Sequence, residues 1–350
     1  MAGEAKKGMI LITGANGGLG SAMVSHIVSS DLGRDYHGLY AVRNPKTADV
    51  LKDVLAKAPQ HKHDVVAIDL GSLASVRETA AAINQRVATG SLPRIRALIL
   101  NAAFQEHTTQ TFSADGFDMT FQVNYLSHFL LTLLLLQSMD TEQGRILVVG
   151  SWSHDVEDPR NNIGFTNGIY KPPHDVLFRT TEALAKATQD SSLDDPSLFA
   201  GMRRYGASKL CQIMFMHELQ ARLDKDPALS NISVVGLDPG GMASTLLRRA
   251  TWFKRVILTG LLLRAASTAM AWVAPNGALR PTSKSAADAL RACFDTKTLG
   301  EHPRALYLNG SQEGQTGKEA RDVAKRMALW RDSVAYARLQ DGETVLASWR

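Results

Sequence analysis

The sequence predicts an α/β fold built on a doubly wound parallel sheet, and three observations predict it. Short apolar runs rich in Val, Ile and Leu alternate with helical stretches along most of the 350 residues. The runs are apolar throughout rather than at every second residue, which is typical of strands buried on both faces. A glycine-rich turn joins the first run to the first helical stretch. Because parallel strands need right-handed crossovers, we expect helices on both faces of the sheet.

Seven strands follow from the apolar runs. They are Met9–Thr13, Gly38–Val42, Val65–Asp69, Ala97–Leu100, Arg145–Gly150, Ser233–Leu237 and Ala305–Leu308. Helices are predicted between them, near residues 19–30, 46–58, 72–89, 113–138, 203–224 and 283–294. The pattern predicts a single Rossmann-type domain over residues 1–316 and a C-terminal helical extension over residues 317–350.

Two segments interrupt the alternation. Residues 152–204 form a long connection rich in Asp, Asn, Pro and Ser, with one helix predicted near 175–189. Residues 246–280 contain an apolar helix predicted at Val256–Val273. Loops of this length inside a domain are usually functional, so we expect both insertions to cover a substrate. The alternative is that each is a plain surface excursion.

Composition and charge exclude several classes of function. Lys and Arg outnumber Asp and Glu by 39 to 34, with no basic block, so nucleic acid is not an expected partner. The two cysteines, Cys211 and Cys293, have no metal-like spacing, which favours a reducing, cytoplasmic location. The ten histidines show no ligand spacing, and no metal is expected. The N-terminus lacks an apolar signal segment, and no run of about 18 apolar residues predicts a membrane span.

The glycine-rich turn predicts a phosphate-binding site. Helix N-termini present free N–H groups to anions, and a turn without side chains lets a pyrophosphate approach them. Gly14 would permit the tight turn, Gly18 the close approach and Gly20 the packing of helix on sheet. Asn16 and Leu19 of the same turn are included among the expected cofactor contacts. An ordinary flexible turn is the alternative.

The end of the second strand indicates which dinucleotide binds. NAD sites usually carry an acidic residue there for the ribose hydroxyls, whereas this strand is followed by Arg43. A guanidinium pairs with a 2′-phosphate, so the sequence predicts NADP(H). The alternative is a solvated Arg43. Asp69 and Leu70, at the end of the third strand, would contact the adenine, although Asp69 could equally be the N-cap of the next helix.

Tyr205 and Lys209 form a candidate proton-transfer pair. A spacing of four residues places both side chains on one helix face. A phenol has a pKa of about 10, and a neighbouring ammonium is expected to lower the pKa of Tyr205 toward the working range. Such a pair also occurs often by chance.

Ser151 strengthens this interpretation because it directly follows a strand. A hydroxyl at the carboxyl end of a parallel strand faces the ligand crevice and could donate to a substrate carbonyl. Ser153 is the fallback if the register differs. The alternative for both is a turn-forming serine.

Taken in order, these motifs resemble those of the short-chain dehydrogenase/reductase family. They are Thr13-Gly14-x-x-x-Gly18-x-Gly20, Asp69, Asn101-Ala102, Asn124, Ser151, Tyr205-x-x-x-Lys209 and Pro239-Gly240. The resemblance covers the chain from about Met9 to Leu308. Asn101-Ala102-Ala103 departs from the family's usual Asn-Asn-Ala-Gly and is similar to the WW-domain-containing oxidoreductases and the protochlorophyllide reductases. The segments 115–129 and 205–211 are similar to those groups and to the retinol dehydrogenases.

The resemblance implies a role for each motif. Tyr205 would be the general acid in reduction, Lys209 would lower its pKa and bind the nicotinamide ribose, and Ser151 would polarise the carbonyl. Asn124 would hold a water that links Lys209 to solvent; from the residues alone, it reads as a satisfied core asparagine. The remaining expected cofactor contacts are Asn101, Ala102, Asn124, Pro239, Gly240, Met242 and Ser244, with Thr245 as the alternative to Ser244.

The sequence says less about the substrate than about the cofactor. The apolar character of the second insertion suggests a small hydrophobic ketone or aldehyde. Its basic residues Arg248, Arg249, Lys254 and Arg255 would suit peripheral membrane contact through 248–273, although a buried lid helix explains the apolarity equally well. The apolar run 129–136 predicts either a buried helix or the face of a homodimer.

The sequence thus predicts an NADPH-dependent carbonyl reductase, reversibly an alcohol dehydrogenase, and a role in secondary metabolism is a further expectation. One alternative is a double-bond reductase of the same family. The other is a catalytically silent NADP(H)-binding partner protein, which retention of Ser151, Tyr205 and Lys209 disfavours.

Overall fold

The computed structural model describes residues 6–162, 166–242 and 274–350. The predicted helix Val256–Val273, together with Ser244 and Thr245, lies outside the described residues.

The described residues form an eight-stranded sheet. Its strands are β1 (Met9–Thr13), β2 (His37–Val42), β3 (His63–Ala67), β4 (Ile95–Leu100), β5 (Arg145–Val149), β6 (Ser233–Asp238), β7 (Leu306–Asn309) and β8 (Gln312–Glu313). Their order is β3-β2-β1-β4-β5-β6-β7-β8, and only the β7–β8 pair is antiparallel. The order reverses between β1 and β4, which opens a crevice at the carboxyl ends of the strands. The predicted doubly wound parallel sheet is confirmed.

Helices lie between the strands and after them. They are α1 (Gly18–Val28), α2 (Asp31–Asp35), α3 (Asp49–Ala56), α4 (Leu73–Ala88), α5 (Met119–Phe121), α6 (Ser127–Leu135), α7 (Thr181–Ala185), α8 (Leu198–Leu223), α9 (Thr282–Phe294), α10 (Thr296–Leu299), α11 (Lys318–Arg321) and α12 (Val323–Tyr336). A π-helical turn, Gln122–Leu126, connects α5 to α6. One apolar cluster packs α1, α3 and α9 on one face of the sheet, and a second packs α4, α6, α8 and α12 on the other.

Several predicted bounds are wrong for local reasons. The strand predicted at Val65–Asp69 is His63–Ala67, because β3 lies at the sheet edge and is only partly buried, so it accommodates polar residues. The helix predicted from residue 113 begins at Met119, where the Asp118 carboxylate accepts from the N–H groups of Thr120 and Phe121. The helix predicted near 175–189 is limited to α7, Thr181–Ala185.

The residues after Gly317 pack onto the α6–α8 face of the sheet. The buried Trp330 ring of α12 lies 5.0 Å from Phe129 of α6 and 6.1 Å from Phe215 of α8, between ring centroids. Its indole N–H donates to the Trp349 carbonyl at 2.7 Å, so the chain end is fixed as well.

All residues of α6 are buried within this chain. Among the described helices, the continuous helical segment Met119–Ser138 is long and apolar enough to cross a bilayer, yet 89% of its most apolar window is buried inside the fold. Of the two interpretations of the apolar run 129–136, a buried helix or the face of a homodimer, the structure shows the buried helix.

Candidate active site

A cleft of about 920 Å³ opens at the carboxyl ends of β1, β2, β4 and β5. The predicted site residues that line it are Gly14, Asn16, Gly18, Leu19, Gly20, Arg43, Asp69, Leu70, Asn101, Ala102, Tyr205, Lys209, Pro239 and Met242. Ser151, Asn124 and Gly240 are not among the lining residues, and neither is any described residue of the 152–204 insertion. The fold therefore brings most of the predicted residues to one cleft from six separate parts of the sequence.

The glycine-rich turn has the close contacts that exclude side chains. Gly14 has φ +67°, and a Cβ there would lie 2.9 Å from Ala102 Cα. A Cβ on Gly20 would lie only 2.3 Å from the Gly14 carbonyl oxygen. α1 begins at Gly18, and its N-cap, Gly17, has no side chain to occupy the first N–H groups. The helix N-terminus therefore presents free donors to the cleft.

Two of the predicted cofactor contacts, Asn16 and Asn101, also form hydrogen bonds within the fold. The Asn16 side-chain oxygen accepts from the Leu51 N–H at 2.9 Å, which ties the turn to α3. The Asn101 side-chain amide donates to the Thr13 carbonyl at 2.8 Å, and the Thr13 hydroxyl oxygen accepts from the Asn101 N–H at 2.9 Å. These bonds fix β4 against β1 at the floor of the cleft.

The adenosine side of the cleft has an exposed cation and an exposed acid. Arg43 is exposed at the end of β2 and lines the cleft. Asp69 is exposed two residues beyond β3, and its carboxylate accepts from the Gly71 N–H at 2.9 Å. Asp69 is not the N-cap of α4, because that helix starts at Leu73 and Ser72 caps it. The position of Asp69 in the cleft is compatible with the predicted adenine contact. The alternative that Asp69 is the N-cap of the helix is wrong.

Lys209 is buried beside Tyr205 on α8. Its ammonium lies 5.5 Å from the Tyr205 ring centroid and donates to the Val149 carbonyl at 2.8 Å and to Gln212 Oε1 at 2.9 Å. Burial lowers the pKa of Lys209 to about 7, partly offset by the charge of Asp238.

Tyr205 does not have the lowered pKa that its spacing predicts. Burial, and secondarily the negative charge of Asp238, raises the pKa of this phenol above its ordinary range. The Lys209 ammonium donates to two other oxygen acceptors, and burial outweighs its attraction for the Tyr205 phenolate. The phenol is therefore protonated at neutral pH, which is the form that a proton donor needs.

Ser151 forms a turn and keeps a free hydroxyl proton. Its Oγ caps the short 3-10 turn Trp152–His154 and accepts from the Ser153 hydroxyl at 2.9 Å. The His154 ring Nδ1 donates to the Ser151 carbonyl at 2.6 Å. Because the Ser151 oxygen only accepts in these bonds, its own proton remains for another acceptor.

Asn124 lies in the π turn, and both N–H groups of its side-chain amide have acceptors. Its Nδ2 donates to Ser208 Oγ at 2.9 Å and to the Phe104 carbonyl at 3.0 Å, and its Oδ1 accepts from the Phe104 N–H at 2.7 Å. Its carbonyl accepts from His128 Nδ1 at 2.9 Å, and burial lowers the pKa of His128 to about 4. A neutral His128 with its proton on Nδ1 then accepts at Nε2 from the Thr13 hydroxyl, 3.0 Å away.

The turn after β6 brings together the predicted Gly240 and three residues that were not predicted, Asp238, Arg160 and Arg280. Gly240 has φ +77°, and its N–H donates to the Asp238 carboxylate at 2.9 Å. That buried carboxylate pairs with Arg160 of the insertion at 2.8 Å, and Arg280 donates to the Asp238 carbonyl at 2.8 Å. An acid directly before Pro239-Gly240 at a strand end was the available signal. Nothing in the sequence indicated its partner.

Within the described residues, no three His, Cys, Asp or Glu side chains are grouped as a metal site would require.

Comparison with known proteins assigns the family. A family model for short chain dehydrogenases matches residues 8–162. The short-chain dehydrogenase iccH of Talaromyces variabilis is 50% identical over 365 aligned positions, which cover 98% of this chain and 99% of that protein. The chain belongs to the short-chain dehydrogenase/reductase family. It is therefore an oxidoreductase, as its motifs predict.

More distant relatives match the branch that the motifs indicate. The WW domain-containing oxidoreductase of Drosophila melanogaster is 29% identical over 92% of this chain and 66% of that protein. Protochlorophyllide reductase A of Arabidopsis thaliana is 30% identical over 70% of this chain and 57% of that protein. Among solved structures, an NADPH-bound carbonyl reductase from chicken fatty liver has a TM-score of 0.55 at 16% identity, covering 89% of this chain and 99% of that one. That likeness confirms the fold.

Proposed function

We propose that the protein is an NADP(H)-dependent carbonyl reductase, reversibly an alcohol dehydrogenase, that acts on a small hydrophobic ketone or aldehyde. The observation that carries the proposal is that Tyr205 and Lys209 line the same cleft as the glycine-rich turn. A proton donor and a dinucleotide-binding turn in one crevice are the two requirements of this reaction.

The residues of the cleft fit NADP(H). The uncapped N-terminus of α1 and the bare turn at Gly14 suit a pyrophosphate, and the exposed Arg43 guanidinium suits a 2′-phosphate. Asp69 and Leu70 would hold the adenine. On the nicotinamide side the holding residues would be Asn101, Ala102, Asn124, Tyr205, Lys209, Pro239, Gly240, Met242 and Ser244. Solved structures of similar fold that hold NADP, among them the angucycline C-6 ketoreductase LanV, support this choice.

Each catalytic side chain has a distinct task. When bound, the cofactor supplies a hydride to the carbonyl carbon. Ser151 donates its free hydroxyl proton in a hydrogen bond to the carbonyl oxygen, and Tyr205 transfers its phenolic proton to that oxygen. The Lys209 ammonium stabilises the phenolate that remains, because opposite charges attract strongly where water is excluded. Asn124 donates to the hydroxyl of Ser208, which precedes Lys209 in the chain, and by the family resemblance it would hold the water that returns a proton to the pair.

Double-bond reduction is the second candidate function. The protochlorophyllide reductases, which are about 30% identical to this chain, favour it. Tyr205 would then protonate a carbon rather than an oxygen. The silent-partner alternative lacks a supporting observation, since the three side chains of the reaction are all present.

The family implies a small-molecule substrate and an oligomeric assembly. Because α6 is buried within this chain, pairing through that helix would require displacement of residues 317–350, so we propose that a homodimer uses another surface. A cytoplasmic location with peripheral membrane contact through 248–273, and a role in secondary metabolism, remain proposals.

A screen of hydrophobic carbonyl compounds, followed by NADPH absorbance and product analysis, tests this function. We expect turnover that yields an alcohol. A product reduced only at a carbon–carbon double bond would replace the proposal with the second candidate. No consumption of NADPH with any carbonyl compound would contradict it.

A further inference from the structure

We propose that Gln212 is a positioning residue that holds the Lys209 ammonium through its side-chain oxygen. The inference rests on the proposed function for its catalytic meaning, although the contact itself is structural. Gln212 follows Lys209 by three residues on α8, which places the two side chains on neighbouring positions of one helix face. Both side chains are 2% exposed.

The geometry shows how the ammonium is held. Lys209 Nζ has three N–H donors, of which one reaches the Val149 carbonyl at 2.8 Å and a second reaches Gln212 Oε1 at 2.9 Å. The third donor remains for the cleft that Lys209 lines. Val149 is fixed in β5, so only the contact with Gln212 depends on a replaceable side chain. With both acceptors in place, the ammonium cannot rotate away from the cleft.

The side-chain oxygen of Gln212 is a neutral acceptor, so it does not neutralise the positive charge of Lys209. The titratable groups that face Lys209 are Tyr205 on α8, His128 on α6 and Asp238 at the end of β6. His128 is neutral near pH 7, and Asp238 is paired with Arg160. Gln212 therefore solvates the ammonium without forming an ion pair. The positive charge remains available to the phenolate of Tyr205.

Packing alone does not explain a glutamine here. Gln212 Nε2 is buried and has no hydrogen-bond partner among the described residues. An unpaired buried N–H group destabilises the fold, so an apolar side chain would pack at lower cost. The carboxamide is explained by the one strong bond that it accepts, which comes from the ammonium.

The test measures the pKa of Lys209 directly in the cofactor-free protein. We propose NMR titration of lysine labelled with carbon-13 at Cε, with the Lys209 signal assigned by its loss in Lys209→Met. Gln212→Met removes the acceptor at similar size, and we expect the pKa of Lys209 to fall by about one unit or more. Gln212→Glu keeps the shape and adds a negative charge, so the pKa should rise.

A matched control separates positioning from stability. Gln220 is also buried on α8, but its side-chain oxygen accepts from the Val234 N–H at 2.7 Å. Gln220→Met should lower stability and leave the pKa of Lys209 as in the unsubstituted protein. A Gln212→Met variant with an unchanged Lys209 pKa would overturn the inference.

The pH profile of kcat tests whether the contact between Gln212 and Lys209 affects turnover. Reduction needs Lys209 protonated, so kcat should decline on the alkaline side as Lys209 loses its proton. This alkaline limb of the profile should move to lower pH in Gln212→Met and to higher pH in Gln212→Glu, in step with the pKa values measured by NMR. A limb that stays fixed while the pKa moves would also overturn the positioning role. If the unsubstituted protein reduces no carbonyl compound, the proposed function fails, while the NMR result still decides whether Gln212 holds Lys209.

Discussion

At Lys209 the fold buries an ammonium and gives it only neutral acceptors, the Val149 carbonyl and the Gln212 side chain. The Tyr205–Lys209 pair was predictable, because a spacing of four on a helix fixes a shared face. Gln212 was not, since a single glutamine inside a helix carries no pattern until the position of the ammonium is known. The raised pKa of Tyr205 was equally hidden, because burial depends on elements distant in sequence.

Arg43 is the residue on which the cofactor preference depends. Arg43→Asp removes the charge-assisted hydrogen bonds to a 2′-phosphate and adds repulsion. We expect the KM for NADPH to rise about 10- to 100-fold, consistent with the roughly 1.5–3 kcal/mol of such bonds, and NADH to become the better cofactor.

Steady-state kinetics with both cofactors measure this. Lys46→Asp is the matched control, because Lys46 is also exposed beside β2 but does not line the cleft. If Arg43→Asp behaves like Lys46→Asp, Arg43 is only a solvated residue.

At the scale of elements, the start and the middle of the 152–204 insertion are attached to different parts of the fold. Arg160 pairs with Asp238 at the end of β6, whereas the N–H groups of Leu177 and Phe178 donate to the Glu319 carboxylate of α11. The strands and long helices could be predicted because apolar runs and helical periodicity are visible in short stretches of sequence. It could not predict the π turn or these attachments, which depend on tertiary partners.

Breaking the Arg160–Asp238 pair leaves the buried Asp238 carboxylate without its ion-pair partner. We expect Arg160→Met to lower the free energy of unfolding by about 3 kcal/mol, the scale for loss of one partner of a buried pair. Denaturant unfolding measures the loss.

The double variant Arg160→Met with Asp238→Asn should recover at least half of that stability, because the neutral amide has no charge to compensate. Equal stabilities of the single and double variants would show that the charge of Asp238 does not need Arg160.

For the whole molecule, residues 317–350 complete the core of the α6–α8 face rather than trail from it. Trp330 packs between Phe129 and Phe215, and Tyr125 and Ser333 share a hydrogen bond at 2.8 Å. The fold class was predictable from the β–α alternation and the glycine turn alone. The docking of the C-terminal helix was not, because its apolar positions do not indicate which face of the sheet they cover.

Trp330→Ala should therefore destabilise the whole domain. Truncating a large buried aromatic side chain costs roughly 3–5 kcal/mol, and we expect a loss of this size in denaturant unfolding. Met327→Ala on the same helix is the control, because Met327 is 55% exposed, and it should change stability by less than about 0.5 kcal/mol. Similar effects of the two substitutions would mean that α12 is an appendage.

The most direct test of the account is the turnover of Tyr205→Phe beside its affinity for NADPH. This substitution removes one hydroxyl from the cleft wall and leaves the glycine turn and Arg43 intact. We predict that kcat for carbonyl reduction falls at least about 100-fold, the scale of general acid catalysis, while NADPH binding measured by fluorescence changes less than about threefold. Undiminished turnover in Tyr205→Phe would contradict the assignment of Tyr205 as the proton donor.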